Sequence, residues 1–254
     1  MTPPFLTAGL PVPHGFFTRA GGVSAGRFAS LNCSLSGRDD ADAVRENRRR
    51  AADALGTAPG ALVGLTQVHG IAVATVESPW PLDARPEADA MVTDRPGLLL
   101  GIVTGDCAPV LFADAEAGVI GAAHAGWRGA VAGVIEATLD AMEALGARRA
   151  RIAAAIGPCI GQPSYEVGPD LRDAVLARDP GDARFFAGGA RPDRWMFDLP
   201  GYCAARLAAA GVARAAWIGR DTLAEEADFF SHRRSTLAGG GPIGHQLSAI
   251  ALPG

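Results

Sequence analysis

Three closely spaced runs, Leu98–Val103, Val110–Phe112 and Gly118–Ala123, are almost wholly apolar. A strand with one wet face alternates apolar and polar residues, so continuous runs predict strands covered on both faces. Such strands need helices or a second sheet on each side. Two helices with suitable faces are predicted. Asp40–Leu55 has an acidic start and a thin stripe of Ala43, Val44, Ala51 and Leu55. Gly129–Leu145 spaces Val131, Val134, Ile135, Met142 and Leu145 helically, with Gly146 where a C-terminal cap belongs. Further helices are expected over Asp170–Ala177 and Tyr202–Ala210. Strands are expected over Gly15–Arg19, Arg151–Ile156, Trp195–Leu199, Val212–Ile218 and His245–Leu252. Leu62–Val68 and Ile71–Val76 are β-rich, and His69-Gly70 between them reads as a tight hairpin turn. Strands and helices mix without strict βαβ alternation. That predicts an α/β (α+β) sandwich in one domain over residues 1–254, not a doubly wound sheet.

Composition removes several classes. The net charge is −4, which is not the basic footprint of a nucleic-acid binder. All 23 basic residues are arginine, so a Schiff-base or P-loop lysine is excluded. No eighteen-residue apolar window suggests a membrane span, and the N-terminus lacks a charged region followed by a long apolar one. A cytoplasmic protein is expected. The four cysteines, Cys33, Cys107, Cys159 and Cys203, are widely separated and read as free thiols.

Among five histidines, His69 falls at the predicted turn and His124 at the end of an apolar strand. Cys107 follows another such strand. All three therefore sit at strand ends, where functional side chains often project. Two imidazoles and a thiolate form a catalytic zinc ligand set with an open fourth position. Spacing alone favours a core cysteine, a turn histidine and a satisfied strand-end histidine, each of them common.

Four motifs narrow the choice: Thr66-Gln67-Val68-His69-Gly70, Gly105-Asp106-Cys107-Ala108-Pro109-Val110, His124-Ala125-Gly126-Trp127-Arg128-Gly129 and Ile156-Gly157-Pro158-Cys159-Ile160. In this order they resemble the YfiH/YlmD (DUF152) family, long labelled multicopper polyphenol oxidase or laccase-domain. The resemblance spans nearly the whole chain. It implies an α/β sandwich grouped with cysteine hydrolases, and metal ligands at His69, Cys107 and His124. It also implies phosphorolysis of adenosine, inosine, guanosine and methylthioadenosine, with some adenosine deamination. Small-molecule purine nucleosides and phosphate are then the expected partners, with neither nucleic acid nor membrane. Zinc suits the ligands, and copper accepts the same set.

The oxidase label fits the residues poorly. A multicopper oxidase builds a blue copper site and a three-copper cluster largely from histidine. Five scattered histidines without a His-x-His pair do not supply them. Phosphorolysis asks for an anion site, for which Arg128, at the predicted helix entry, and Arg19 and Arg233 are candidates. Deamination asks for a carboxylate proton shuttle; Asp106 is the candidate, or else it orients its loop. A Cys107–His124 nucleophile and base would instead make a hydrolase. Family members have also been linked to editing of peptidoglycan precursors. Trp127, Trp195 and Trp217 are candidate stacking surfaces, although core packing explains them equally well. Cys159, Cys33 and Cys203 read as packed residues. His14 reads as a loop residue. His232 stands where the family usually has Tyr and His245 where it usually has Arg; both read as surface or loop positions.

Overall fold

The computed structural model describes residues 2–36 and 38–253. The elements run β1 (Phe5–Leu6), β2 (His14–Phe17), α1 (Ala41–Ala54), β3 (Leu62–Val63), β4 (Val73–Thr75), β5 (Ala90–Thr93), β6 (Leu99–Thr104), β7 (Ala108–Asp114) and β8 (Val119–Ala125). Then come α2 (Trp127–Ala132), α3 (Val134–Ala144), β9 (Ala153–Ile156), β10 (Glu166–Val167), α4 (Pro169–Arg178), β11 (Phe186–Gly188) and β12 (Trp195–Phe197). The last are α5 (Leu199–Ala209), β13 (Arg214–Trp217), α6 (His232–Leu237) and β14 (Gln246–Ala251).

Period-two burial assembles these into layers. On β7, Leu111 and Ala113 face one way and Val110 and Phe112 the other, all buried. Leu111 meets Ile102, Leu100, Phe16 and Ile250 of a five-stranded sheet ordered β1-β2-β14-β6-β3. Phe112 and Val110 join Ile135, Leu139 and Met142 of α3 and Leu207 of α5. On β6, Leu100 enters the inter-sheet core and Leu99 packs against Ala51 and Ala52 of α1. Helix, sheet, sheet and helix therefore stack as an α/β sandwich. The second sheet has six strands in the order β13-β9-β7-β8-β5-β4. No helix among the described residues is long and apolar enough to cross a membrane.

Three expectations need correction. The runs around His69 form no hairpin: β3 pairs with β6 in one sheet and β4 with β5 in the other. His69 lies where the chain crosses between sheets. The helix expected over Gly129–Leu145 is two helices, divided at Gly133 with φ of 111°. Only glycine takes that conformation readily. The leading piece, α2, starts at Trp127 and is six residues long, too short for a strong dipole at its start. His14 is buried in β2, where Nε2 accepts from the Ala8 amide at 2.8 Å and Nδ1 donates to the Val12 carbonyl at 2.7 Å.

Leu111 touches only the inter-sheet core. Truncation by Leu111→Ala is expected to cost about 2–5 kcal/mol in urea unfolding; a loss below about 1 kcal/mol would mean that the sheets repack freely there.

Candidate metal centre

Strand register brings two of the three predicted ligands together. In the antiparallel β7–β8 pair, Pro109 opposes His124 and Ala108 opposes Ala125. Cys107, two residues before Pro109, is therefore on the His124 face at the same end of the sheet. The third ligand, His69, arrives from the crossing segment. Its ring centroid is 4.7 Å from that of His124, edge to face. The three donor atoms lie within 4.8 Å of one another, and among the described residues no other cluster of three or more His, Cys, Asp or Glu side chains comes together in this way. His124 is buried, Cys107 half-buried and His69 exposed, so the site opens outward on one side.

The residue that organises this site is Asp89, which sequence reasoning missed. It precedes β5, and Ala90 pairs with Ala123, which sets Asp89 beside His124. The His124 amide donates to the Asp89 carbonyl at 2.7 Å. The ring Nδ1 lies 2.8 Å from Oδ1 of Asp89. A carboxylate only accepts, so Nδ1 carries the proton and Nε2 is left as the metal-facing donor. The same carboxylate accepts the amides of Val68 (3.1 Å), His69 (2.9 Å) and Gly70 (2.7 Å). These bonds hold His69 in the left-handed region, at φ of 61°. Gln67 fixes the start of the segment, bonding the Val103 amide and carbonyl at 3.0 and 2.9 Å.

The electrostatics follow from these contacts. Burial alone would raise the Asp89 carboxyl pKa; bonds from His124 and the loop amides outweigh it and hold it below the usual range. Burial also favours the neutral Cys107 thiol, but His124 and His69 shift it towards thiolate. His124 is shifted upward, since the Cys107 and Asp89 charges overcome its burial. A thiolate and an oriented imidazole are the forms that bind zinc. Gly126 makes the space: a Cβ there would stand 2.7 Å from His69 Nδ1 and 3.0 Å from Cys107 Sγ.

A cavity of about 580 Å³ opens on this centre, lined among others by Trp127, Arg128, Tyr165, His232, Arg233 and His245. Both His232 and His245, expected at surface or loop positions, thus face it. Burial, then the charges of His124 and His232, push the His245 pKa down to about 4. Of the three candidate anion ligands, Arg128 and Arg233 line the cavity and Arg19 does not. Arg19 spends its guanidinium on the Ala29 and Glu226 carbonyls and packs over Phe230. Asp106 lines the cavity, but Oδ1 accepts from the Thr222 hydroxyl at 2.7 Å and Oδ2 from the Arg233 amide at 2.6 Å. Of the three candidate tryptophans, Trp127 alone reaches the cavity.

The model of the family described as multi-copper polyphenol oxidoreductase laccase matches residues 13–253, and the chain belongs to that family. A purine nucleoside phosphorylase of Deinococcus radiodurans is 46% identical over 253 residues, covering 98% of this chain and 93% of that one. Another, from Streptomyces griseus, is 45% identical over 228 residues, covering 89% and 91%. YlmD from Geobacillus stearothermophilus has a TM-score of 0.87 at 31% identity and covers 99% and 100% of the two chains. YfiH from Bacillus licheniformis has the same TM-score and identity over 94% and 92%. The YfiH/YlmD resemblance is therefore real in both sequence and fold.

Replacing Asp89 with Asn keeps the shape and removes the charge that binds the loop amides and the His124 ring. Zinc affinity, measured by competition with a chromophoric chelator, is expected to fall roughly 10–100-fold; unchanged affinity would contradict the organising role. Gly126→Ala is expected to weaken zinc binding in the same assay while leaving the thermal midpoint nearly unchanged.

Proposed function

We propose that the chain is a metal-dependent purine nucleoside phosphorylase, converting adenosine, inosine, guanosine or methylthioadenosine and phosphate to free base and ribose 1-phosphate. One observation carries this reading. A single cavity joins the His69–Cys107–His124 donors to Arg128 and Arg233 and to the rings of Trp127 and Tyr165. Relatives that bear the phosphorylase name and match nearly end to end support it.

Each part has a chemical use. Trp127 offers a face for a planar base. Phosphate is an anion, for which a guanidinium fork is the natural ligand. The Arg128 guanidinium packs 4.4 Å from the centre of the Trp127 ring. Arg233 spends Nη1 on the Glu166 carbonyl at 2.8 Å, and its remaining side-chain N–H groups bond no described residue. With the helix at Trp127 only six residues long, these arginines, not a helix dipole, are assigned to phosphate. Zinc held by His69, Cys107 and His124 would supply a Lewis acid at the end of the cavity. The four cysteines are free, which suits a reducing compartment such as the cytoplasm.

The adenosine deaminase side activity ranks below phosphorolysis, because the candidate carboxylate, Asp106, and the buried carboxylate beside the metal donors, Asp89, are already engaged in hydrogen bonds. A different second reading has one observation in its favour. Cys107, His124 and Asp89 line up as nucleophile, base and orienting acid, the order used by cysteine hydrolases. His69 beside the same thiolate favours metal over nucleophile.

Incubation with inosine and phosphate is expected to release hypoxanthine and ribose 1-phosphate, and His69→Ala is expected to abolish both. Product no greater than that of His69→Ala would sink the phosphorylase reading. Removing one charged bond to phosphate is expected to raise the phosphate KM of Arg128→Ala about 10-fold or more, with the nucleoside KM little changed. An unaltered phosphate KM would reassign the anion site.

A further inference from the structure

The purine leaves with the electron pair of its glycosidic bond, so phosphorolysis needs a proton or a strong donor at the base. The chain has two tyrosines. Tyr202 is sealed in the outer core, its hydroxyl buried without a partner. Tyr165 lines the cavity. Its amide donates to the Gln162 carbonyl at 3.2 Å, and its carbonyl accepts from the Phe197 amide at 2.9 Å. Its ring packs 6.1 Å from that of Phe197 and 5.4 Å from the Arg233 guanidinium. The backbone and ring are thus fixed, while the hydroxyl bonds no described residue.

Other donors on the cavity wall fit the task less well. Aliphatic hydroxyls at Thr66, Ser34 and Ser36 are far weaker acids than a phenol, and arginine does not release a proton. His69 and His124 belong to the metal centre. His245 has its Nδ1 buried without a partner. His232 is exposed at the start of α6. Burial raises the Tyr165 pKa, with the Cys107 charge adding to it, so the phenol rests protonated and gives up its proton only to the basic departing purine anion.

We propose that Tyr165 is the proton donor to the departing purine, a role that rests on the phosphorylase reading. An oxygen of hydrogen phosphate bonds to C1′ as the C1′–N9 bond breaks and its pair passes to the base. N7 takes the phenolic proton, and the phenolate recovers the proton that hydrogen phosphate gives up on becoming an ester. Atoms and charge balance without another reactant.

The test compares Tyr165→Phe with wild type on inosine and on 7-methylguanosine, whose methylated N7 needs no proton. The nitrophenolate released by 4-nitrophenyl β-D-riboside makes this riboside a second such probe. The kcat/KM for inosine is expected to fall roughly 100-fold, in the range of general acid catalysis, and that for the two probes by less than about threefold. Equal losses on all substrates would make Tyr165 merely structural, and no loss on inosine would remove it from the reaction. A selective loss in His232→Ala and not in Tyr165→Phe would transfer the role to His232. If wild type releases base from no nucleoside with phosphate, the phosphorylase reading falls and this role with it. An active wild type with an unselective Tyr165→Phe overturns the donor role alone.

Discussion

The Asp89 carboxylate is completely buried yet accepts four N–H groups, three from the crossing segment and one from the His124 ring. A lone buried carboxylate would cost several kcal/mol, and charge-assisted bonds of this number offset it. One group thereby fixes two ligands that are far apart in sequence. It holds His69 in a backbone conformation that a non-glycine residue seldom adopts, and it sets the tautomer of His124. Cys107 needs no such help, because the β7–β8 register already places it.

The double-sided burial of the central strands gives this arrangement its rigidity. Strands packed on both faces cannot slip by one residue without turning apolar side chains out of two cores at once. The ends of β7 and β8 and the start of β5 are thus held in fixed relation, and the metal donors inherit that precision. The cavity walls come instead from segments with partners of their own. Asp106 ties the Cys107 loop to Thr222 and to the start of α6, so Arg233 is delivered beside the centre by a bond from the ligand motif to a segment distant in sequence.

Much of the sandwich was legible in the sequence, because β6, β7 and β8 are apolar on both faces and nothing local competes with that reading. The candidate metal ligands were legible as residue types at strand ends, and the family motifs selected them. The crossing at His69 was not legible. Leu62–Val68 and Ile71–Val76 look like neighbours locally, whereas their true partners, β6 and β5, lie further along the chain. β5 itself, only Ala90–Thr93, follows an irregular stretch and gives little periodic signal. Missing it hid Asp89, although an acid immediately before an apolar run was the available clue. The anion candidates divided for a similar reason: nothing around Arg19 shows that two backbone carbonyls claim its guanidinium. His245 and His232 line the cavity because β14 and α6 converge there, a long-range fact that no local pattern carries.

The proposed centre is a single ion held by one sulfur and two nitrogens. X-ray absorption at the metal edge of protein purified without added metal measures this directly. The expected spectrum contains one sulfur at about 2.3 Å and two imidazole nitrogens at about 2.0–2.1 Å, with a further light scatterer at the open position. A metal–metal vector at about 3.5–4 Å, or a first shell without sulfur, would contradict the mononuclear His69–Cys107–His124 centre.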